Sequence, residues 1–165
     1  MMNDLDLTGL LLLQQGLDEA IASRHDVTYE STREKRLLAL FVELGEFANE
    51  TRCFKFWSLK GPSGKGVILD EYADGMHFFL SLGLALKVTG FTHELKTPSK
   101  ELTEAILQVY EDVGDLSKEF TPAHYFAAFG AYLDLLPLLG YSGEEAIAAY
   151  QKKLAVNYQR QEEHY

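Results

Sequence analysis

Apolar residues recur every three to four positions along most of this chain, and sustained two-residue alternation is absent. That period gathers side chains on one face of a helix. Leu10, Leu13, Leu17 and Ile21 form such a stripe, within a first helix expected over 6–23. Ser31-Thr-Arg-Glu34 has capping-box spacing and is expected to open a second helix running to about Thr51. A third helix is expected over 67–88 and a fourth over 99–118. Thr121-Pro122 offers a cap and an N1 proline for a fifth, which Gly140 closes and Pro137 distorts near its end. Ser142-Gly-Glu-Glu145 is a second capping box, opening a sixth helix to about Gln161. Between these lie an aromatic and basic connection (52–60), a glycine-rich loop (61–66) and a segment of turn residues (90–98). The expectation is one all-α domain over 1–165, a bundle of about six helices with short connections.

Composition narrows what such a bundle does. Hydrophobic residues are 47% of the 165, enough for a good core and too many for a disordered chain. The net charge of −10 argues against holding duplex nucleic acid through its phosphates. A nucleotide substrate stays open, because a bound metal inverts the field locally. The single Cys53 rules out an intrachain disulfide and a CxxC zinc motif. The acidic start and the short run Leu10–Leu13 lead to an expectation of cytoplasmic residence without membrane contact. Gly61-Pro-Ser-Gly-Lys-Gly66 has the wrong spacing for a phosphate loop and no strand before it, so it reads as a surface loop.

Two acidic pairs stand out against this apolar background. Glu43-Leu-Gly-Glu46 and Glu71-Tyr-Ala-Asp74 each place two carboxylates three residues apart, on one helix face. Their neighbours are apolar: Leu40, Phe41 and Phe47 for the first, Ile68, Leu69 and Phe78 for the second. Acidic residues on a helix are ordinarily solvated. Two such pairs on consecutive helices that can pack antiparallel instead point to a cation, and hard oxygen ligands select Mg²⁺, or Mn²⁺, over zinc. Glu50, seven after Glu43, is a candidate fifth oxygen, and Asp70 is assigned to the surroundings of the site. His77 lacks the paired Glu-x-x-His motifs of a di-iron bundle and is expected to be a packed or supporting histidine.

Two further stretches carry alternatives. Phe54-Lys-Phe-Trp57 is either an aromatic plug, the safer reading from composition, or a wall that stacks on a base with Lys55 at a phosphate. Lys153, Asn157, Arg160 and Gln161 share a helix face; they are either favourable charge at a helix C-terminus or contacts for polyphosphate and sugar.

Taken in order, these blocks resemble the all-α nucleoside triphosphate pyrophosphatases, the MazG-like superfamily, and within it the dimeric all-α dUTPases. Leu13-Gln-Gln-Gly-Leu-Asp18 is similar to that family's Leu-Gln-x-x-Leu motif, Glu43 to Trp57 to its first acidic motif with an aromatic–Lys–aromatic–Trp block, and Glu71 to Leu82 to its second. Lys153 to Tyr165 resembles its C-terminal motif, departing at Glu162-Glu-His-Tyr165, where the family often reads Asn-Gly-Tyr. The resemblance implies a Mg²⁺-dependent enzyme that splits dUTP into dUMP and pyrophosphate, with dUDP as an alternative substrate. Glu43, Glu46, Glu71 and Asp74 would hold metal, with Glu46 the candidate general base. Gln14 would read uracil, Trp57 would pack beside the substrate, Lys55, Lys153 and Arg160 would hold phosphates, and Asn157 the sugar. A homodimer is implied, with a site partly shared between subunits. The apolar surfaces Leu102, Ile106, Val109 and Tyr125, Phe126, Phe129, Tyr132 would bury either that interface or the core. The competing readings are a broader house-cleaning pyrophosphatase and a catalytically silent helical bundle that binds nucleotide or a partner.

Overall fold

The computed structural model describes residues 3–163. His164 and Tyr165, which close the C-terminal motif, lie outside the described residues. The elements are β1 (Asp4–Asp6), α1 (Thr8–His25), α2 (Tyr29–Thr51), α3 (Lys65–Ala85), β2 (Thr92–Glu94), α4 (Leu102–Lys118), α5 (Pro122–Leu133), α6 (Leu135–Leu139) and α7 (Gly143–Glu162). The architecture is the expected all-α bundle, with α3 at its centre packed against α1, α2, α5 and α7.

Local chemistry explains the departures from expectation. Helix α2 begins before Ser31: Thr28 is its cap and Ser31 completes the capping box from the third helical position. The Ser142–Glu145 box opens α7 as expected. The fifth helix breaks at Asp134, giving α5 and the one-turn α6. Pro137 has no N–H to return to Leu133, and Gly140 ends the turn at φ 75°. The segment after α3 holds a strand that the pattern did not show. It pairs antiparallel with β1, Leu5 opposite His93, and each strand is too short to display a period. His93 Nε2 lies 2.8 Å from Asp134 Oδ1 and pins this ribbon to the α5–α6 corner.

The core runs along α3. Tyr72, Met76 and Phe79 from α3 meet Leu40, Leu44 and Phe47 from α2 and Tyr125, Phe129 and Tyr132 from α5, all fully buried. Ile106 and Val109 are buried as well. The apolar surfaces of α4 and α5 therefore belong to the core of this chain. Tyr72 and Tyr132 stack with ring centroids 4.3 Å apart. Each hydroxyl donates to the other's backbone carbonyl, Tyr72 at 3.0 Å and Tyr132 at 2.6 Å. Gly75 leaves the space for this exchange, since a Cβ there would fall on the Tyr132 phenol.

This predicts opposite signs for two similar substitutions. Gly→Ala inside a helix ordinarily gains about 0.5–1 kcal/mol. Gly114→Ala in α4, where a Cβ meets open space, should stabilise by about that amount. Gly75→Ala should instead destabilise by about 1–3 kcal/mol through overpacking. Urea unfolding midpoints measure both, and a Gly75→Ala protein as stable as wild type would show that the tyrosine pair is free to move.

Candidate metal and substrate site

Antiparallel packing of α2 on α3 turns the two acidic pairs toward each other. Glu43, Glu46, Glu71 and Asp74 each offer an oxygen, all within 4.8 Å of one another. Burial pushes the Glu43 carboxyl up to about 8, and the neighbouring Asp74, Glu46 and Glu71 add to the shift. Glu71 is pushed up to about 7, again first by burial and then by Asp74 and Glu46. Asp74 is raised by burial, with Lys153 acting against it. One oxygen each of Glu43 and Glu71 is buried with no hydrogen-bond partner. A buried carboxylate oxygen without a donor calls for a proton or a cation. The donor set is all oxygen, so the residues fit a hard divalent ion. Glu46 is the exposed member of the four. Glu50 stands apart, accepting a hydrogen bond from the Ser63 hydroxyl.

Beside this cluster lies a cleft of about 470 Å³ whose edge includes Glu43 and Asp74. Gln14, Asp18, Arg36, His77, Asn157 and Arg160 line it too. The fold thus joins Gln14 of α1, the acidic pairs of α2 and α3, and Asn157 and Arg160 of α7 around one space. Lys153 is buried just behind, its ammonium 3.0 Å from Asp70 Oδ2 and 3.2 Å from Asp74 Oδ1. Lys55 and Trp57 are not among the cleft residues. They sit on the α2–α3 connection, where Phe56 is 92% and Trp57 65% exposed. The aromatic plug is therefore corrected: these rings face solvent. Arg52 shapes the loop from inside, donating to the Ser58 hydroxyl at 2.8 Å and the Lys60 carbonyl at 3.2 Å.

The floor of the cleft is a buried polar seam. Gln14 Oε1 accepts from the Tyr150 hydroxyl at 2.9 Å and lies 2.6 Å from His77 Nδ1. Gln14 Nε2 donates to Asp18 Oδ1 at 2.9 Å. An amide oxygen only accepts, so the proton of the neutral imidazole sits on Nδ1. Burial holds His77 neutral, its pKa lowered to about 4, with the Tyr150 carbonyl a minor opposing influence. Nε2 makes no hydrogen bond and is left a buried acceptor. Asp18 is the participant the sequence reading missed. Its only signal there was its place four residues after Gln14, on the same helix face.

A search of curated proteins finds no match to this chain. A family model described as dUTPase matches residues 6–165. The chain belongs to the all-α dUTPase family and is, by that membership, a nucleoside triphosphate pyrophosphatase.

Proposed function

We propose that this protein is a Mg²⁺-dependent dUTP pyrophosphatase, forming dUMP and pyrophosphate from dUTP and water. The observation that carries the reading is the four-carboxylate cluster, two of whose members, Glu43 and Asp74, line a cleft that Gln14, Asp18 and His77 line as well. Glu43, Glu46, Glu71 and Asp74 would hold the metal; Mn²⁺ suits the same oxygens. The bound ion supplies neutralisation of phosphate charge and a more acidic water. Glu46, exposed and beside the other three, takes the water's proton. Arg160 and Lys153 hold phosphate oxygens, and Asn157 the sugar. Lys153 also keeps Asp74 in place through their 3.2 Å ion pair. Lys55 and Trp57 reach substrate from the exposed loop. The solvent-facing Phe56, Trp57 and Leu59 support a homodimer that uses this connection, since the apolar faces of α4 and α5 are spent on the core. Among the described residues no helix is long and apolar enough to cross a membrane.

Uracil is read by two side chains. Gln14 keeps one N–H after its bond to Asp18, and His77 Nε2 is a bare acceptor. A donor beside an acceptor matches a uracil carbonyl beside N3–H. Cytosine has no N3–H to give. Thymine shares the uracil edge, so its methyl group must be excluded by shape.

Three measurements test this. Activity should require Mg²⁺ or Mn²⁺ and vanish with chelation, and Glu71→Gln should lower turnover at least about 10²-fold. Near-normal turnover in chelator would sink the metal assignment. In kcat/KM, dUTP should exceed dCTP by roughly ten- to a hundredfold, the worth of one buried hydrogen bond, and Gln14→Ala should erase most of that gap. Values within a few-fold for dUTP, dCTP and dTTP in the wild type would replace the dUTPase by a broad pyrophosphatase.

The third measurement is stability against pH. Folded Glu43 and Glu71 keep protons up to about 8 and 7, which the unfolded chain releases near 4.5. Their contribution is full below 4.5 and is lost as pH rises through 7 and 8. His77 acts in the opposite sense, but only below its ordinary 6.5. In chelator, the melting temperature should therefore fall from pH 6.5 to above pH 8, the window set by these groups. Mg²⁺ should flatten the decline, and an identical pH profile with and without the ion would count against binding at these carboxylates.

A further inference from the structure

Asp18 is an aspartate 4% exposed on the face of α1 that also carries Gln14. All its partners are donors. Oδ1 accepts from Gln14 Nε2 at 2.9 Å, with Arg36 Nη1 3.6 Å away. Oδ2 accepts from Ser81 Oγ at 2.8 Å and from the Tyr29 hydroxyl at 3.0 Å. Arg36 is itself fixed: Nε donates to Thr32 Oγ1 at 2.8 Å, Nη1 donates to Ser81 Oγ, and the guanidinium lies over the Tyr29 ring. The carboxylate is therefore clamped from α1, α2 and α3 at once.

An acceptor-only group held this firmly decides which way the Gln14 amide faces. With Nε2 committed to Asp18, Oε1 must face Tyr150 and His77. The flipped amide would set Oε1 against a carboxylate and Nε2 against the Tyr150 hydroxyl and the imidazole. The orientation of Oε1 in turn decides which imidazole nitrogen carries the proton. We propose that Asp18 is a positioning residue for base selection: it fixes the Gln14 amide and, through it, the Nδ1-protonated tautomer of His77, so that the cleft shows the base one donor and one acceptor in fixed places. This rests on the base-reading roles given to Gln14 and His77. Arg36, Tyr29 and Ser81 serve the same end by holding the carboxylate still. A glutamine free to flip would let His77 carry its proton on Nε2, and the floor would then present a donor where uracil also has one.

The competing role is a plain fastener of three helices, and two variants separate the roles. Asp18→Ala removes the acceptor; Asp18→Asn keeps an oxygen for Gln14. In Asp18→Ala the ratio of kcat/KM for dUTP over dCTP should fall at least about tenfold, the scale of one lost buried hydrogen bond. The loss should come mainly as a raised KM for dUTP. Asp18→Asn should keep the ratio within about threefold of wild type, the lost charge alone accounting for the remainder. The independent readout is the His77 tautomer, observed by nitrogen NMR of the isotope-labelled protein without substrate. It should be Nδ1-protonated in the wild type and Asp18→Asn, and mixed in Asp18→Ala. An Nε2-protonated His77 in the wild type overturns the proposal, whether or not the variants fold. So does an Asp18→Ala protein that slows both nucleotides equally while ratio and tautomer hold, because that is the fastener. If the wild type fails to distinguish dUTP from dCTP, the dUTPase reading fails, and the tautomer measurement still decides what Asp18 does to Gln14 and His77.

Discussion

The packing of α2 on α3 brings four carboxyl groups within 4.8 Å, and everything at the site follows from holding them there. Two ionised carboxylates at such a spacing repel by about 3–4 kcal/mol at an effective dielectric near 20. The apolar faces beneath resist that force. Leu40, Leu44 and Phe47 on one helix and Tyr72, Ala73 and Met76 on the other are fully buried. The same burial lifts Glu43 and Glu71 toward neutrality and leaves an oxygen of each without a donor. Such a cluster is costly to ionise alone and less costly to ionise around a cation, which is the electrostatic ground for the proposed metal site.

The Gln14 side of the cleft, the proposed substrate side, is held together differently. Burying Gln14, Asp18, His77 and Tyr150 together is tolerable because every side-chain polar atom of the four but one has a partner, Asp18 Oδ2 finding its own in Ser81 and Tyr29. The exception, His77 Nε2, is buried without a partner on a residue that lines the cleft. Desolvation without a partner leaves an acceptor that the proposed base-reading role would satisfy. Selectivity then depends on what a wrong ligand leaves unmade.

The helical period and the caps at Thr121 and Ser142 made most of the bundle legible, because both signals are local. The start of α2 was misread because Thr28 and Ser31 both suit a cap, and the three-residue ribbon is too short to carry a period. The acidic pairs were legible through their spacing and apolar setting. The stripes of α4 and α5 showed that they would be buried, but a stripe does not say against what. Phe54, Phe56 and Trp57 misled in the other direction, since composition cannot register a loop that Arg52 braces outward. Asp18 stayed hidden because three of its four partners come from other helices and far along the chain.

Trp57 is the chain's one tryptophan, and it stands 65% exposed on that braced loop. An indole this exposed should emit much as it does in water, so losing the core should change its emission little. The chromophores that sense the interior are instead Tyr72, Tyr125, Tyr132 and Tyr150, fully buried among nine tyrosines. Fluorescence therefore divides this molecule in two. Tyrosine signals report whether the bundle is intact, and the indole reports only what comes to rest against the connection between α2 and α3.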